Sequence, residues 1–523
     1  MDKVNKNDIY GTLSHWQNFR LKILAEGIVV GAVTGFLIVF YRVILEKAEE
    51  LRIAIFNINI PKYMLIPGWF LMLLISAYVV GILIKKEPLI SGSGIPQVEA
   101  VLAGKIQMNW LSVIVKKFIG GVISIGAGLS LGREGPSIQL GAAVGQGISR
   151  IFKRIRVEEK YLITSGASAG LAAAFNAPLA GVMFSLEEVH KHFSPMILLS
   201  AMSASLTADF VSKYFFGLKP VFTFHNVTAL PLDKYGYIIL LGIIVGIFGV
   251  VYNNALLKTQ DIYNNQKWLP AKFRPIIPFL IAGVLVLFLP QVLGGGHSLI
   301  DALTNGNFTM KMLFIILVVK FLFSMLSYGS GAPGGIFFPL LVLGALTGAI
   351  YGNILVHFTG FDNNYISNFI MLAMAGYFTA IVRAPITGSI LITEMTGSFS
   401  NLLSLSVISL TAYIIADLLK SEPIYESLLD RLLESNGQQG TGHNSKGKII
   451  LEIPVYLDSQ MDGKRVKELK LPSDCLLVGI RRGEKEIIPK GNTAIHSGDC
   501  LIALVNENRA AETNEELLEM SRI

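Results

Sequence analysis

Three short segments of the chain place a proline shortly after glycine, where a helix can begin. They are GSGIP (92–96), GREGP (132–136) and GGIFFP (334–339). Proline is tolerated in the first turn of a helix because the N–H that it lacks would be unpaired there. Such a helix start presents free backbone N–H groups and the positive end of the helix dipole. Several starts that converge would bind an anion without a full positive charge, and would therefore also release it.

The composition places these segments in a membrane protein. Of 523 residues, 52% are hydrophobic and only 15% are charged, against about 25% charged in soluble proteins. This balance excludes intrinsic disorder, a collagen-like chain and a disulfide scaffold, and no basic tract interleaved with aromatic residues indicates nucleic acid. Apolar stretches, several of them cut by Gly and Pro, predict repeated crossings of the lipid bilayer. They lie at roughly 23–44, 65–84, 111–131, 162–186, 195–211, 235–256, 276–293, 311–328, 335–355, 367–393 and 402–419.

The membrane part repeats itself. Residues 132–145 (GREGPSIQLGAAVG) match residues 335–348 (GIFFPLLVLGALTG) at an offset of 203, and 177–187 match 384–394 at an offset of 207. Paired segments interrupted by glycine and proline predict a substrate site near the midplane. Inverted topology is the commoner meaning of such a repeat, although the sequence alone does not prove it. The two halves are roughly 20–215 and 230–420.

Charge divides the chain into a membrane body and a water-soluble tail. Residues 435–523 hold 25 charged residues in 89, against 56 in the other 434. The N-terminal leader is polar and lacks the apolar run and cleavage site of a signal peptide, which predicts a cytoplasmic N-terminus. The predicted organisation is a leader (1–22), a membrane domain (23–434), a flexible linker (435–447) and a small α+β domain (448–523).

The small domain has the two-residue period of strands. KIILEIPV, CLLVGIRR, EIIP and CLIALV are predicted as strands, and MDGKRVKELK and AAETNEELLEM as helices. Both cysteines, Cys475 and Cys500, lie there without CxxC spacing, so neither a metal site nor a disulfide is predicted. In the body, LGGGHS (293–298) lacks the GK[ST] of a phosphate loop, and His297 within it is interpreted as an isolated loop or interface residue. No cofactor is predicted.

The ordered set of motifs resembles the CLC family of chloride channels and chloride/proton antiporters. The resemblance covers about residues 20–430 and also includes KKFIGG (116–121), FNAPLAGVMFSLEE (175–188) and the tyrosine of EPIYESLL. It implies an all-α polytopic membrane protein with two inverted repeats and broken helices. It further implies a homodimer in the cell membrane that carries chloride through a pore in each subunit and is not an enzyme.

The resemblance also implies the residues of the chloride path. The hydroxyl of Ser93, the phenol of Tyr425 and the amides of Ile336 and Phe337 would hold the central chloride. Glu134 would be the gating glutamate. Its ionised carboxylate can occupy an anion position and its neutral form leaves, so that chloride and proton compete by exclusion of like charges.

Glu188 matches the internal proton glutamate of the family, which takes protons from the cytoplasmic side. Family members that act as passive channels commonly carry an apolar residue there, so Glu188 favours a chloride/proton antiporter over a passive chloride channel. Glu187 would support the proton entry route, and Glu99 and Lys117 match charged positions near it.

Plainer interpretations of these residues stay open at this stage. Ser93 can be only an N-cap, Tyr425 an interfacial anchor, and Glu188 an interfacial carboxylate at a helix end. Glu134 can form a structural ion pair with Arg133, although a glutamate inside the membrane is expensive and usually functional. Rival functions are a passive chloride channel, a fluoride exporter, a receptor whose tail is the working part, and a cation transporter. The intact GSGIP and GREGP segments and the absence of a TVGYG filter disfavour the last three.

The tail resembles the C-terminal ligand-binding lobe of the RCK/TrkA regulators of ion transport, most clearly in GKRVKELKLP, VGIRRG and IIPKGNTAIHSGD. Such lobes dimerise and can bind a small ligand, of which cyclic di-AMP is one. The hypothesis is an apolar groove between two copies of the lobe, edged by basic side chains and suited to a nucleobase and a phosphate. The alternative is a purely structural dimer module. The candidate residues are Leu469, Lys470, Leu476, Val478, Arg481, Arg482 and Pro489.

Overall fold

The chain forms two compact units, Met1–Gly437 and Gln438–Ile523, in a computed structural model. The first five residues of the predicted leader and residues 436–447 of the predicted linker lie outside the residues that the structure describes. Those described are 6–57, 62–191, 194–222, 224, 229–266, 268–304, 306, 308–435, 448–472, 475–483, 485–506 and 509–521.

The first unit is helical. Its helices are α1 (Lys6–Asn57), α2 (Lys62–Lys86), α3 (Ile95–Leu102), α4 (Trp110–Gly126), α5 (Glu134–Ile151), α6 (Arg156–Phe175), α7 (Pro178–Phe184), α8 (Pro195–Phe216), α9 (Tyr235–Asn265), α10 (Ile276–Phe288), α11 (His297–Thr304), α12 (Met310–Gly329), α13 (Phe337–Thr359), α14 (Ile366–Val382), α15 (Pro385–Thr396), α16 (Leu402–Leu418) and α17 (Ile424–Ser435). A short π-helix, Ser185–Val189, continues α7.

Within the described ranges, nine helical segments are long and apolar enough to cross a membrane. They are α1, α2, α8, α12 and α13, and also α9, α10, α14 and α16, each taken together with the short 3-10 turn that precedes it. The multi-pass prediction is therefore confirmed. Because α1 begins at Lys6, residues 6–22 of the predicted leader belong to the same continuous helix as the first span. Most of the other helices are shorter, and α3 and α11 have eight residues each.

Proline marks the helix starts, as the sequence predicts. Pro96 is the second residue of α3, and Pro136 and Pro339 are the third residues of α5 and α13. Pro178 and Pro385 are the first residues of α7 and α15. In each case the missing N–H falls where the helix has no partner for it, so the chain breaks its helices without losing a hydrogen bond.

Equivalent residues of the two halves meet each other. Gly132 and Gly335, which are 203 positions apart, exchange two backbone hydrogen bonds of 2.7 Å each. Reciprocal contacts between equivalent residues are the mark of a twofold axis, because each half then offers the other the same surface. The internal repeat is therefore a pseudo-twofold one, and its axis passes between these two glycines.

A second reciprocal exchange joins α7 and α15. The carboxylate of Glu187 accepts a 2.8 Å hydrogen bond from the N–H of Thr387 at the start of α15. The carboxylate of Glu394 accepts one of 2.8 Å from the N–H of Ala180 at the start of α7. Both pairs follow the offset of 207 found in the sequence, so each half caps a helix of the other.

Glycine lets the helices within each half lie close together. A Cβ added to Gly141 on α5 would collide with the carbonyl of Gly166 on α6, and the reverse is also true. In the second half Gly344 on α13 approaches the carbonyl of Ala373 on α14 in the same way. Small residues at such crossings are the usual means of packing helices in lipid, where no hydrophobic force draws them together.

The second unit is a four-stranded antiparallel sheet with one described α-helix. Its strands β1 (Lys448–Pro454), β2 (Cys475–Arg482), β3 (Lys485–Ile487) and β4 (Asp499–Asn506) lie in the order β1-β4-β2-β3, and α18 spans Ala510–Ser521. One sheet face packs on an apolar core whose buried members include Ile453, Ile480, Leu501 and Leu517. All four predicted strands and the second predicted helix are present.

The helix predicted for MDGKRVKELK is wrong. Only Val466–Glu468 forms a single 3-10 turn. The backbone N–H of Gly463 instead donates to the carbonyl of Ile495, and that of Val466 to the carbonyl of Thr493, both at 3.0 Å. Gly463 has φ +75°, a conformation outside a helix. Pairing with a neighbouring segment of the domain therefore overrides the local helix propensity.

The close crossing of α5 and α6 gives a stability prediction. We expect Gly141→Ala to lower the free energy of unfolding by about 1–3 kcal/mol, because the new methyl group forces two backbones apart. The midpoint of thermal unfolding in detergent measures it. Gly236→Ala on α9 is the matched control, since an added Cβ there has no neighbour within 4 Å. Equal midpoints for the two variants would contradict the close packing.

Candidate functional site

The three glycine–proline segments come together through their backbones. The N–H of Gly92 donates to the carbonyl of Gly331 at 3.3 Å, and the N–H of Gly334 donates to the carbonyl of Gly92 at 3.0 Å. A Cβ added to Gly135 would lie 2.9 Å from the carbonyl oxygen of Ser93. The starts of α3, α5 and α13 are therefore neighbours. Their convergence is the geometry that an anion site built from helix starts requires.

Lys117 holds the first of these segments in place. Its side chain on α4 is fully buried, and its ammonium donates to the carbonyls of Ile90 and Gly92 at 2.9 and 2.7 Å. A buried charge needs such partners. The structure thus gives Lys117 a role in fixing the loop before α3, and the predicted place of Lys117 near a proton route remains a prediction.

Ser93 and Tyr425 are both buried. The N–H of Ile95 donates to the hydroxyl oxygen of Ser93 at 3.3 Å, although the N-cap residue of α3 is Gly94. The phenol of Tyr328 also lies within hydrogen-bonding reach of Ser93. The phenol oxygen of Tyr425 has no hydrogen-bond partner within the described ranges. Its ring meets that of Phe184 edge to face at 6.4 Å, and Phe184 meets Phe337 at 5.9 Å. Buried hydroxyl groups without partners are expected to bind water or a ligand.

Ile336 and Phe337 stand at the start of α13. Ile336 is the residue before the first helical one, Phe337 is the first, and both are buried. The first amides of a helix have no partner within it. These two N–H groups therefore lie at the start of α13, where the helix itself offers them no partner, and their predicted part in binding chloride stays a prediction.

Glu134 is the first residue of α5 and is fully buried. Within the described residues its carboxylate makes no hydrogen bond of standard geometry, but it lies within reach of the backbone N–H groups of Glu134 itself and of Phe338. The guanidinium Nε of Arg133 is 3.9 Å from Glu134 Oε1, too far for a hydrogen bond, and Nη1 of Arg133 is 3.5 Å from Oε1 of Glu46. Arg133 is thus shared between two carboxylates, which argues against a dedicated structural pair with Glu134.

A cleft leads from Glu134 to the solvent. It measures about 460 Å³ including its open mouth. Its lining residues are Leu45, Glu46, Glu49, Ile125, Leu131, Gly132, Arg133, Glu134, Gly294, Gly295, Gly296, His297 and Phe338. Glu134 therefore lies at the boundary between the buried helix starts and water.

Glu188 lies on the π-helix Ser185–Val189, a rare irregularity that often marks a functional position. Glu188 and Glu99 are buried, and within the described chain Glu188 Oε1 and both carboxylate oxygens of Glu99 lack partners. Both are within electrostatic range of Lys191 and Glu426, whose ammonium and carboxylate lie 2.5 Å apart. These four groups form a cluster that can pass or hold a proton. Glu187, by contrast, is held at the start of α15, and its predicted part in proton entry remains a prediction.

The sequence reasoning missed several residues of this region. Glu426 directly follows Tyr425 in EPIYESLL, but nothing in that motif marks it as a proton group. Lys191 and Tyr328 lie outside the motifs, and the phenol oxygen of Tyr328 would lie 3.2 Å from a Cβ added to Gly92. Lys320 was detectable, because it lies 203 positions after Lys117, the offset of the repeat. The described residues contain no group of three His, Cys, Asp or Glu that could hold a metal ion.

Comparison with known proteins identifies the membrane body. Residues 75–417 match the family model described as voltage gated chloride channel. The chain belongs to the CLC family. The fold class predicted from the sequence is therefore confirmed, and this CLC chain is a transport protein rather than an enzyme, as predicted.

Individual relatives agree with this membership. The chain is 36% identical over 427 residues to the H(+)/Cl(-) exchange transporter ClcA of Vibrio cholerae serotype O1 (strain M66-2), covering 80% of this chain and 91% of that protein. It is 33% identical over 452 residues to the protein of the same name from Yersinia pseudotuberculosis serotype IB (strain PB1/+), covering 85% and 93%. The crystal structure of a slow cyanobacterial Cl-/H+ antiporter is similar with TM-score 0.74 and 32% identity, over 80% of this chain and 99% of that one.

The tail matches the TrkA-C domain over residues 450–518. The predicted ligand residues do not all lie on one surface. Leu476 and Val478 are exposed, and Leu476 is on the sheet face opposite the core, where it aligns with Leu504. Leu469 instead packs against the core cluster. Within one copy of the domain these residues therefore lie on different faces, and the groove predicted between two copies stays a prediction.

The predicted basic edge is also partly occupied. Arg482 donates two hydrogen bonds of 2.8 Å to the carboxylate of Asp499 and a third of 2.8 Å to the carbonyl of Ala494. Arg481 pairs with the exposed Glu452 at 3.0 Å. Both arginines make bidentate contacts, but the carboxylate of Asp499 is buried, whereas the side chains of Arg481 and Glu452 are both exposed, and exposed pairs are weak and can be exchanged. Lys470 is exposed, and Pro489 is half-buried.

Asp499 makes the stability of the tail depend on pH. Burial opposes its ionisation, but hydrogen bonds from Arg482 and from the N–H of His496 hold the pKa of Asp499 below its ordinary value. A depressed pKa stabilises the folded state above the unfolded pKa, near 4, and this contribution is lost as the pH falls through the folded value. We expect Asp499→Asn to lower the thermal midpoint of a 448–523 fragment at pH 7, and the gap from wild type to close below about pH 4. Circular dichroism measures it, with Glu486→Gln as the control; a gap independent of pH would contradict the assignment.

Proposed function

We propose that this protein exchanges chloride for protons across a membrane and that Glu134 is its gate. The observation that carries the proposal is the placement of this carboxylate at the start of α5, fully buried and within reach of the backbone N–H groups of Glu134 and Phe338. A helix start attracts negative charge. The carboxylate and a chloride ion would therefore compete for the same environment, among the three helix starts that converge there.

Protonation decides that competition. An ionised Glu134 is held by the helix dipole and excludes a second anion. A neutral Glu134 loses this attraction, moves aside and admits chloride to the site formed by Ser93, Tyr425 and the amides of Ile336 and Phe337. Because one side chain is both the gate and the proton carrier, each opening toward chloride is tied to the uptake of a proton.

The second proton group is Glu188. It lies in the cluster with Glu99, Lys191 and Glu426, where two buried carboxylates lie within range of a partly exposed ion pair. The carboxyl groups of Glu188 and Glu99 act on each other electrostatically, so ionisation of one opposes ionisation of the other. We assign Glu188 the exchange of protons with the side opposite Glu134, and Glu99, Glu187 and Lys117 supporting places around that route.

Charge at the helix ends supports an orientation. The first helix brings Lys22 to Glu158 and Glu26 to Arg154. This helix, α1, contacts the segment 150–160, which carries five Lys or Arg residues. Positive segments remain on the cytoplasmic side. The N-terminus is therefore proposed to be cytoplasmic, as is the C-terminal domain, in the cell membrane, and Glu134 to face the outside.

The names of the matched relatives, exchange transporters and an antiporter, support exchange over passive conduction. A passive chloride channel of the same fold is the second candidate. We also propose that the protein is a homodimer, in which α8 and α16 present large exposed apolar residues to a neighbour or to lipid. These include Phe210, Tyr214, Leu403 and Ile414.

The tail is proposed as a regulator. Its TrkA-C match supports a ligand-binding lobe, and the exposed Ile450, Leu476 and Val478 give it an apolar surface for a second copy or for a nucleobase. Lys470 and Arg481 remain as cationic partners for a phosphate. Cyclic di-AMP is the ligand proposed.

Coupled flux tests the exchange. With purified protein in liposomes and an outward chloride gradient, we expect chloride efflux to drive protons inward against a proton gradient. Glu134→Gln and Glu188→Gln should each lower proton flux by about a hundredfold or more while chloride still moves, because a neutral amide carries no proton. Chloride and pH electrodes read both fluxes. Glu50→Gln, a solvent-exposed glutamate, is the control, and chloride efflux without proton movement in the wild type would make the protein a channel.

Ligand binding tests the tail. We expect micromolar cyclic di-AMP to release or absorb heat on titration into the full-length protein and to change the chloride flux. Removal of residues 436–523 should abolish both effects. Arg481→Ala should weaken binding, whereas Lys485→Ala on the neighbouring strand should not. No heat signal at micromolar ligand would leave the tail a structural module.

A further inference from the structure

The loop before α11 is the second copy of the loop before α3. Residues 294–298 (GGGHS) follow residues 92–96 (GSGIP) at an offset of 202, and both helices have eight residues. The backbones of the two loops have closely similar positive φ angles at the two positions that favour glycine. Gly92 and Gly94 have φ +65° and +97°, and Gly294 and Gly296 have φ +63° and +104°. The repeat of the membrane body therefore includes this segment, although only two of the five residues are identical in the two copies.

The supports of the two loops are also copied. Lys320 on α12 donates to the carbonyls of Val292 and Gly294 at 2.9 and 2.8 Å, as Lys117 does in the first half. The N–H of Gly294 donates to the carbonyl of Gly128 at 2.9 Å, the counterpart of the bond from Gly92 to Gly331. With the scaffold so closely matched, the positions at which the two copies differ in chemistry stand out.

His297 is the most informative difference. It occupies the position of Ile95, the first residue of the equivalent helix. Since isoleucine begins α3 in the same backbone setting, the fold does not require an imidazole there. Two positions before Ile95 the first copy has the hydroxyl of Ser93, and the second copy has Gly295 there. The second copy therefore lacks the proposed anion-binding hydroxyl and has a titratable side chain instead.

The surroundings of His297 link it to Glu134. Both residues line the same solvent-connected cleft. The imidazole stacks on the ring of Phe338 with 3.7 Å between centroids. A Cβ added to Gly132 would lie 3.0 Å from the amide nitrogen of Phe338 and would collide with the Glu134 carboxylate, so that carboxylate lies beside Phe338 as well. The imidazole Nε2 is buried and has no hydrogen-bond partner in the described chain. A buried polar nitrogen of this kind calls for a water or a proton acceptor.

We propose that His297 exchanges protons between water in this cleft and the Glu134 carboxyl group. The proposal rests on the function proposed for Glu134 as a protonatable gate. The imidazole takes a proton from water on Nε2 and gives it to a carboxylate oxygen of Glu134, directly or through one water molecule. The reverse transfer discharges the gate, and the ring returns to its starting state in each direction. Imidazole suits this task because it gains and loses a proton near neutral pH.

The charges around the ring fit a transient proton. Arg133 and Glu134 face it from α5, and Glu46 and Glu49 line the cleft from α1. Arg42 on α1 also acts on the ring, and Lys320 lies behind the loop with its charge held by carbonyls. The guanidinium groups oppose a lasting imidazolium, while the carboxylates accept its proton.

The test measures chloride flux in liposomes as the bath pH is varied at constant internal pH, with the full-length protein. It is run in the Glu188→Gln background, so that the gate is protonated from its own side. In the Glu188→Gln parent, we expect an acidic bath to increase the chloride flux. His297→Ile and His297→Gln should make this increase about tenfold smaller at a given bath pH. His297→Ile copies the residue of α3, and His357→Gln, an exposed histidine of α13, is the matched control with no expected effect.

A double variant separates the proton role from an electrostatic one. In Glu134→Gln the gate carries no proton, so adding His297→Ile should change the chloride flux no further. An effect of His297→Ile that persists in Glu134→Gln would show that His297 acts on the anion and would overturn the proposal, as would a response to bath pH equal to that of the Glu188→Gln parent. If the wild type moved chloride without protons, the proposal of chloride/proton exchange would be wrong. The response of chloride flux to bath pH, compared between the His297 variants and their parent, would still decide the role of His297.

Discussion

The structure of the membrane body depends on one constraint: backbone N–H and C=O groups at the ends of broken helices must find partners away from water. The chain meets it by pairing the loops of one half with those of the other. The hydrogen bonds between Gly132 and Gly335 are the central example. Because these bonds satisfy the loops, the helices that follow can begin in the interior with their first amides left over. The anion site that we propose would thus result from the way in which the two halves close on each other.

The same constraint explains what the buried cations do. Lys117 and Lys320 are fully buried, yet each gives its hydrogen bonds to two loop carbonyls rather than to the place where an anion would lie. A full positive charge at the site would bind a halide too firmly for transport. In the proposed site, amides, a hydroxyl and a phenol would provide a weaker attraction, and the two lysines hold the neighbouring loops in position.

Much of this was readable from the sequence because it depends on local rules. Proline shortly after glycine predicted the helix starts, and the offset of 203 predicted the pairing of halves. The second copy of the GSGIP loop escaped notice because its shared feature is backbone conformation, carried only by glycines. In the tail, the helix predicted at residues 461–470 failed because the backbone of Gly463 and Val466 bonds to a distant segment. The commitment of Arg482 to Asp499 could not be foreseen either, since a strand pattern does not reveal which neighbours its arginines face.

The reciprocal caps between α7 and α15 have a consequence for synthesis of the chain in the membrane. The N–H groups at the start of α7 wait for the carboxylate of Glu394, which is made more than 200 residues later. At about 5–20 residues per second, the first half therefore stays unfinished for roughly 10–40 seconds. During that time its open helix start must be covered by water, lipid headgroups or the insertion machinery. The two halves mature together, and a nascent chain that stalls between them would be a clear target for quality control.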